Sequence, residues 1–491
     1  MIKDIRNRLL PEAQGFDRNS CFLVSASSGD AVSRSEFACY AASLSLSLME
    51  VSKPGDRVGL LMDNGIPLAA SYWACMASGR VAVPLNLTAQ EDWNIKILST
   101  ARVSLVLTDR NITLGNIKIH KVNGLKPSSC GLESILASNP MPSTAPCLLV
   151  FTSGSEGRPK GVFHSPASLL SNAAAFCDAS GLQSSNRLLH ILPMYYMAGF
   201  LNNLLCPYVA GSSVVLERIF DARMALSFWE TPSLFQADAM WLSPSIISAV
   251  VKLFRGGKGT EYAINNVKHV FSATAPLPDV LREALNEKFH LRVRQSYGLS
   301  ETLITTLETE EDAGTPSSSG VPLHGIELML GTNGEVLVRS EHSFAGYLDY
   351  ESGEPAYSLD SEGYFHTGDI GAIENGRLRI TSRLKDIIIT GGVNVSPAQV
   401  EQVLIEHSDV KHAAVIGIPH DVLGEEVVAV VSLFEGSDAE SVLKDLSAIC
   451  KNKLLKEHIP KKFHVMLQMP CSPTGKVLKP EVFKLITNKE V

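Results

Sequence analysis

The chain lacks a CxxC pair and any other recognisable metal-ligand spacing; its nine cysteines and thirteen histidines are scattered over 491 residues. His407 and His412 stand five apart with no cysteine or helix-spaced partner nearby, which argues against a zinc site. An odd, dispersed set of thiols suits small core residues in a reducing compartment, not a disulfide framework. No uninterrupted apolar run approaches the ~20 residues that span a bilayer. The first residues, Met1 to Arg6, are charged and carry no apolar segment, so no secretory signal is expected. Basic excess is also missing. Against 51 acidic residues stand 43 lysines and arginines, a formal net charge of -8, without the basic footprint of a general nucleic-acid binder. A local basic patch can still serve a phosphorylated ligand. These absences lead to the expectation of a cytoplasmic protein with no integral membrane association.

What is present is ordinary globular material, 45% hydrophobic and 19% charged, in a chain longer than one core usually serves, so two or more domains are expected. Through about the first 380 residues, short apolar runs alternate with helical patterns, the rhythm of α/β units. Asp56–Met62 reads as a strand ending at the turn residues Asp63-Asn64-Gly65, Ala69–Ser78 as a helix, and Val81–Val83 as a strand stopped by Pro84. Such a unit favours a parallel sheet with right-handed crossovers. Residues 312–320 have loop composition. The glycine-rich Arg255–Gly259 reads as a surface turn, because no strand leads into it and no helix cap follows at once. A boundary falls near Thr381–Asp386, after a hairpin with Asn375-Gly376 at its turn. Beyond it, Ser396-Pro397 opens a helix as N-cap and first-turn proline.

The segment Phe151-Thr152-Ser153-Gly154-Ser155-Glu156-Gly157-Arg158-Pro159-Lys160-Gly161 follows the apolar run Cys147–Val150, which reads as a buried strand. Glycines let a backbone turn its N–H groups inward, and hydroxyls and an ammonium add donors, so the loop can hold a polyphosphate. A surface connection has the same composition. The Walker A pattern does not apply, since Gly161 follows Lys160 where that pattern needs Ser or Thr.

Together with the motifs that follow it, this loop resembles the phosphate loop of the adenylate-forming enzymes: acyl- and aryl-CoA synthetases, adenylation domains of peptide synthetases and beetle luciferases. The resemblance is nearly full length and is strongest to an acyl-CoA synthetase. It implies that Thr152, Ser153, Gly154, Ser155, Gly157 and Lys160 cover the phosphates of ATP, with Glu156 replacing a usual Thr. Leu192–Gly199 is similar to the acyl-pocket motif, which gives Tyr195, Tyr196 and Met197 to the pocket; Tyr196 stands where many synthetases have His. Ser272–Leu277 looks like the loop packing on adenine and on the acid, which adds Ala273, Thr274, Ala275 and Pro276. Gln295–Glu301 is a closer match. It implies Tyr297 on the adenine, Gly298 at a close backbone approach, Ser300 on phosphate and Glu301 on Mg2+. Asp369, within Tyr364–Asp369, and Arg383, within Ser382–Asp386, are assigned to the ribose and phosphate. Lys385 resembles the hinge residue, and Lys476, within Ser472–Lys476, the catalytic lysine. Gly391 and Gly392 resemble the loop lining the pantetheine tunnel.

The fold implied is a large α/β N-terminal domain, residues 1–384, with mixed sheets and flanking helices, and a small mobile α+β C-terminal lid, residues 385–491. The activity implied is ATP-dependent: a small-molecule carboxylic acid becomes an acyl-adenylate with loss of pyrophosphate, catalysed by Lys476, Lys160 and Glu301, and then a thioester of CoA. A carrier-protein phosphopantetheine is an alternative acceptor, and a nucleotide-binding pseudoenzyme the alternative of another class. Adenylation domains of peptide synthetases typically carry an Asp in this motif to bind an α-ammonium; none stands between Leu192 and Asn202, so the resemblance disfavours an amino acid. Tyr195, Tyr196, Met197, Trp241 and Ala273 suggest an apolar pocket for an aryl or medium aliphatic acid.

Overall fold

In the computed structural model, residues 5–11, 15–89, 91–122, 124, 126–139, 141–152, 159–313, 315, 318–472 and 475–488 are described. The strand–helix–strand unit is present. Arg57–Leu61 and Val81–Pro84 pair in parallel, and the helix between them spans Ile66–Ser78. That helix starts three residues earlier than its apolar pattern suggests, because Pro67 occupies its first turn after Gly65, where a missing N–H costs nothing. Its sequence is apolar almost all round, and from Leu68 to Ser78 every residue is buried, as expected of a helix enclosed on all sides.

It lies in a core shared by two large sheets. One has eight strands, centred on the parallel set Leu105–Thr108, Arg57–Leu61, Val81–Pro84 and Leu148–Thr152. The other has nine, including the parallel set Arg187–His190, Ala239–Leu242, His269–Ser272 and Val293–Leu299. Trp73, on the enclosed helix, meets Phe37 and Tyr208 edge-on at ring-centre distances of 5.1 and 4.9 Å. A four-stranded antiparallel sheet follows, Ile326–Leu330, Glu335–Ser340, Phe365–Glu374 and Arg377–Arg383. Its last two strands form the hairpin expected at Asn375-Gly376, where both residues have positive φ, 52° and 77°, as a tight hairpin turn requires.

From Ile388 onward, a five-stranded sheet and the helices Pro397–Ile405, Ala439–Lys453 and Lys479–Thr487 form the smaller C-terminal domain. Its two buried clusters draw only on residues from Ile388 onward, and those of the large domain only on residues up to Ile380. No helix among the described residues is long and apolar enough to cross a membrane.

Three local expectations need correction. Arg255–Gly259 is not a free surface turn, because the helix Lys258–Asn266 begins inside it with Gly257 at the cap position. Gly259 packs so closely on Trp229 that a Cβ there would stand 2.4 Å from that side chain. Ser396 occupies its cap position, but its hydroxyl donates to the Thr381 carbonyl at 2.8 Å and does not cap the helix. Trp241 is 1% exposed and packs on Phe176 and Phe271, which makes it core and not pocket wall.

Candidate active site

Parallel strands deliver their following loops to one edge of a sheet, and in open α/β sheets ligands bind at that carboxyl edge. Four of the segments that leave the nine-stranded sheet there are Leu192–Gly199 after Arg187–His190, Ser243–Ser245 after Ala239–Leu242, Ala273–Leu277 after His269–Ser272, and Ser300-Glu301 after Val293–Leu299. Three of them carry motifs singled out in the sequence, so parallel topology alone brings together residues about a hundred positions apart.

The Val293–Leu299 strand has a bulge at Tyr297/Gly298 against Leu303–Leu307. A Cβ on Gly298 would lie 1.9 Å from the Leu303 carbonyl oxygen, so only glycine fits that approach. In the neighbouring loop Thr274 has a φ of 77°, a left-handed conformation costing a β-branched residue ~1–3 kcal/mol, and such strain gathers at functional sites.

Beyond this edge the Tyr297 hydroxyl donates to Asp369 Oδ2 at 2.8 Å, and Arg383 Nε donates to Asp369 Oδ1 at 2.7 Å. Asp369 and Arg383 are direct partners across the last hairpin of the four-stranded sheet. Asp369 is only 3% exposed. A carboxylate has about four acceptor sites, so each oxygen keeps capacity for a sugar hydroxyl.

A second group forms on the eight-stranded sheet. Leu148–Thr152 and Lys160–His164 are antiparallel, with Thr152 opposite Lys160. The glycine-rich loop therefore closes a hairpin and does not lead into a helix, which separates it again from Walker A. Ser153, Gly154, Ser155 and Gly157, with Glu156, lie outside the described residues. Lys160 Nζ stands 3.5 Å from the centre of the Tyr347 ring, and the Tyr347 hydroxyl donates to Glu301 Oε1 at 2.7 Å. Burial lowers the Lys160 pKa, Glu301 offsets part of that, and Lys385 adds to it. Tyr347 is a residue the sequence reading missed. It follows Gly346 on a three-residue strand, with nothing local to mark it.

Lys476 comes from the small domain. Its side chain keeps contact with solvent, but the protein crowded around it lowers its pKa to about 8, with Arg383 and Lys385 lowering it further and Asp369 and Asp386 opposing them, so it feels the charges of that cluster. Its loop rests on the helix Pro244–Leu253 of the large domain. Gly475 has a φ of 83°, and a Cβ there would stand 2.0 Å from Ser245 Oγ.

The 192–199 segment is fixed from behind. Asn64 donates from Nδ2 to the Leu192 carbonyl at 2.8 Å and accepts from the Met194 N–H at 2.9 Å; the Tyr72 hydroxyl donates to the Met194 carbonyl at 2.7 Å. Tyr195 and Tyr196 have ring centres 4.9 Å apart. Met197 and Ala273 pack half-buried against the shared core. Asn64 had been read only as a turn residue and Tyr72 only as part of a helix. Gly391 and Gly392 are not with this cluster. They form the exposed tip of the hairpin Ile388–Thr390/Val393–Val395, with the Gly391 N–H on the Leu423 carbonyl. Lys385 sits in the exposed short helix Leu384–Asp386 between the two domains.

Comparison with known proteins agrees with this architecture. The family model for AMP-binding enzymes matches residues 13–348, and that for the AMP-binding enzyme C-terminal domain matches residues 399–476. The chain is 28% identical over 486 residues to a sulfoacetate–CoA ligase of Cupriavidus necator, covering 93% of each. It is 28% identical over 453 residues to a 2-succinylbenzoate–CoA ligase of Bacillus cereus, covering 88% of this chain and 89% of that one. The crystal structure of ATP-bound MatB from Rhodopseudomonas palustris shares the fold with a TM-score of 0.84 at 24% identity, covering 99% of this chain and 100% of that one.

Proposed function

The chain belongs to the AMP-binding enzyme family, and from that membership we propose an ATP-dependent carboxylate–CoA ligase of the AMP-forming, acid–thiol type. The observation that carries the reading is the hydrogen-bonded Tyr297–Asp369–Arg383 group, with Lys476 close enough to feel the charges of Asp369 and Arg383. A nucleotide seated along the carboxyl edge has its ribose on Asp369, its adenine against Tyr297 and Gly298, and its phosphates toward Ser300, Thr152 and Lys160. A carboxylate oxygen of the acid attacks the α-phosphorus, the bond to the bridging oxygen breaks, and pyrophosphate leaves. Both reactants are anions, so alignment and positive charge are what the protein must supply. Lys476 supplies a point charge between carboxylate and α-phosphate, and Lys160 one toward the outer phosphates.

Among the described residues no group of three or more His, Cys, Asp or Glu side chains could hold a metal ion by itself. That fits magnesium, which is commonly held by one or two carboxylates plus substrate phosphates. Glu301, oriented by Tyr347, would hold it, and the ion would neutralise phosphate charge. In the second half-reaction the CoA thiol attacks the acyl carbonyl and AMP leaves.

We place the domain boundary after Leu384 and the hinge at Lys385, because the buried clusters end at Ile380 and resume at Ile388. Turning there brings Gly391-Gly392 toward the site for the thiol arm. The acid is an aryl or medium aliphatic one, supported by the apolar Tyr195, Tyr196, Met197 and Ala273.

The test is pyrophosphate release from ATP and magnesium across aryl, short, medium and long-chain acids, with and without CoA. Acid-dependent release that rises with CoA supports the ligase and identifies its acid. Release indifferent to CoA points to a carrier-protein acceptor. No release with any acid from folded protein sinks the proposal in favour of a pseudoenzyme.

A further inference from the structure

The helix Pro244–Leu253 touches the small domain at both ends. Ser245, in its first turn, lies under Gly475. Lys252, in its last turn, donates from Nζ to the Val410 carbonyl at 2.9 Å and stands 4.4 Å from the centre of the Phe434 ring. Val410 opens one strand of the small domain's longest pair, Val410–His420 with Gly424–Leu433, and Phe434 follows the other. The Phe434 N–H donates to the Asp409 carbonyl at 3.0 Å. Asp409, Val410 and Phe434 therefore form one cup, which receives the ammonium of a residue about 160 positions earlier. Burial lowers Lys252 to about 8, with Asp409 opposing, as expected of a cation drawn out of water without a carboxylate in direct contact.

We propose that Lys252 is a positioning residue, a latch that holds the small domain in the orientation presenting Lys476 to Asp369 and Arg383. The proposal rests on the ligase reading above. It follows that the latch serves adenylate formation and must open before thioester formation. Lys476 lies close enough to Asp369 and Arg383 to feel their charges while Gly391-Gly392 stands exposed beside Leu423. One small domain cannot present both at once, so turning it lifts the cup off Lys252. A single charge-assisted hydrogen bond with one cation–ring contact suits that duty, strong enough to bias an orientation and weak enough to release.

The experiment compares Lys252→Ala, Phe434→Ala, the double variant and Lys252→Arg with the unmutated full chain. Adenylation is followed by ATP–pyrophosphate exchange, thioester formation from supplied acyl-adenylate, and docking by amide hydrogen exchange across residues 243–253 in the unliganded protein. The latch predicts adenylation slowed about tenfold in Lys252→Ala, the size of one lost charge-assisted hydrogen bond, and about threefold in Phe434→Ala, the size of one lost cation–ring contact. It also predicts little further loss in the double variant, an unimpaired thioester step, faster exchange in the helix and substantial rescue by arginine. Equal losses in both half-reactions, fully additive losses, or unchanged exchange would overturn it. If the unmutated protein forms no adenylate with any acid, the ligase reading fails, and hydrogen exchange still decides whether Lys252 holds the domain.

Discussion

The two sides of the site are held by different means. On the large domain, Tyr297, Asp369 and Arg383 are bonded to one another across strands at 2.8 and 2.7 Å, and Asp369 is nearly fully buried. On the small domain, Lys476 follows Gly475, which rests on Ser245, and the longest strand pair touches the same helix at Lys252. The first side is organised by sheet register before any ligand arrives. The second is docked through side-chain contacts between the domains, Ser396 with the Thr381 carbonyl among them, and on the proposed reading it is the side that withdraws. On the proposed reading, electrostatic preorganisation is concentrated on the nucleotide side and movement on the side that carries Lys476.

The sharpest way to break this contrast is to remove the docked cation. Lys476→Ala should slow adenylation by about 10²–10³-fold, the usual cost of losing one preorganised transition-state donor, while leaving the fold intact. A rate close to that of the unmutated protein would refute the lysine assignment. The protein crowded around Lys476 lowers its pKa to about 8, so its charge is present below that pH and lost above it. Adenylation should fall as pH rises through about 8, and Lys476→Arg should abolish that limb, because arginine stays charged. A profile flat to high pH would count against the charge argument.

Next in size is the preassembled side. Asp369→Asn removes the acceptor charge facing Arg383 and should raise the KM for ATP by about tenfold or more, as charged hydrogen bonds are worth ~1.5–3 kcal/mol. If kcat falls and KM does not move, Asp369 acts on the reaction and not on the ribose. Gly475→Val is the structural counterpart on the docked side. It places a branched side chain against Ser245 at a positive φ, and adenylation should fall about tenfold, an overpacking cost of ~1–3 kcal/mol. Thioester formation from supplied adenylate should be spared, and a matching loss there would show that the loop does not undock. The smallest effect is expected from Tyr347→Phe, which frees Glu301 but keeps the ring beneath Lys160. Activity should drop a few-fold, about the worth of one hydrogen bond, and excess magnesium should restore part of it.

Much of the molecule could be read before the structure. The helix Ile66–Ser78, the hairpin at Asn375-Gly376 and the strand before the glycine-rich loop were visible because each rests on neighbours a few positions apart. Misreadings arose where distant packing decided the outcome. Arg255–Gly259 looks like a loose turn until Trp229 presses on Gly259. Ser396 looks like a cap until the Thr381 carbonyl, fifteen residues away, takes its hydroxyl. Trp241 looks like a pocket residue until Phe176 and Phe271 enclose it.

By itself the sequence determined the chemistry on offer: the order of motifs, the residue types they supply, and the lack of recognisable metal-ligand spacings and long apolar runs. It could do so because hydroxyls, carboxylates, lysines and glycines have intrinsic properties, and short spacings decide local backbone shape. Only the tertiary structure decided that three of these motifs share one edge, that Tyr347 joins Glu301 to Lys160, and that Lys252 and Ser245 receive the small domain. Those facts depend on strand order, register and the meeting of surfaces far apart in the chain, where side-chain packing and desolvation act between residues that local spacing cannot relate.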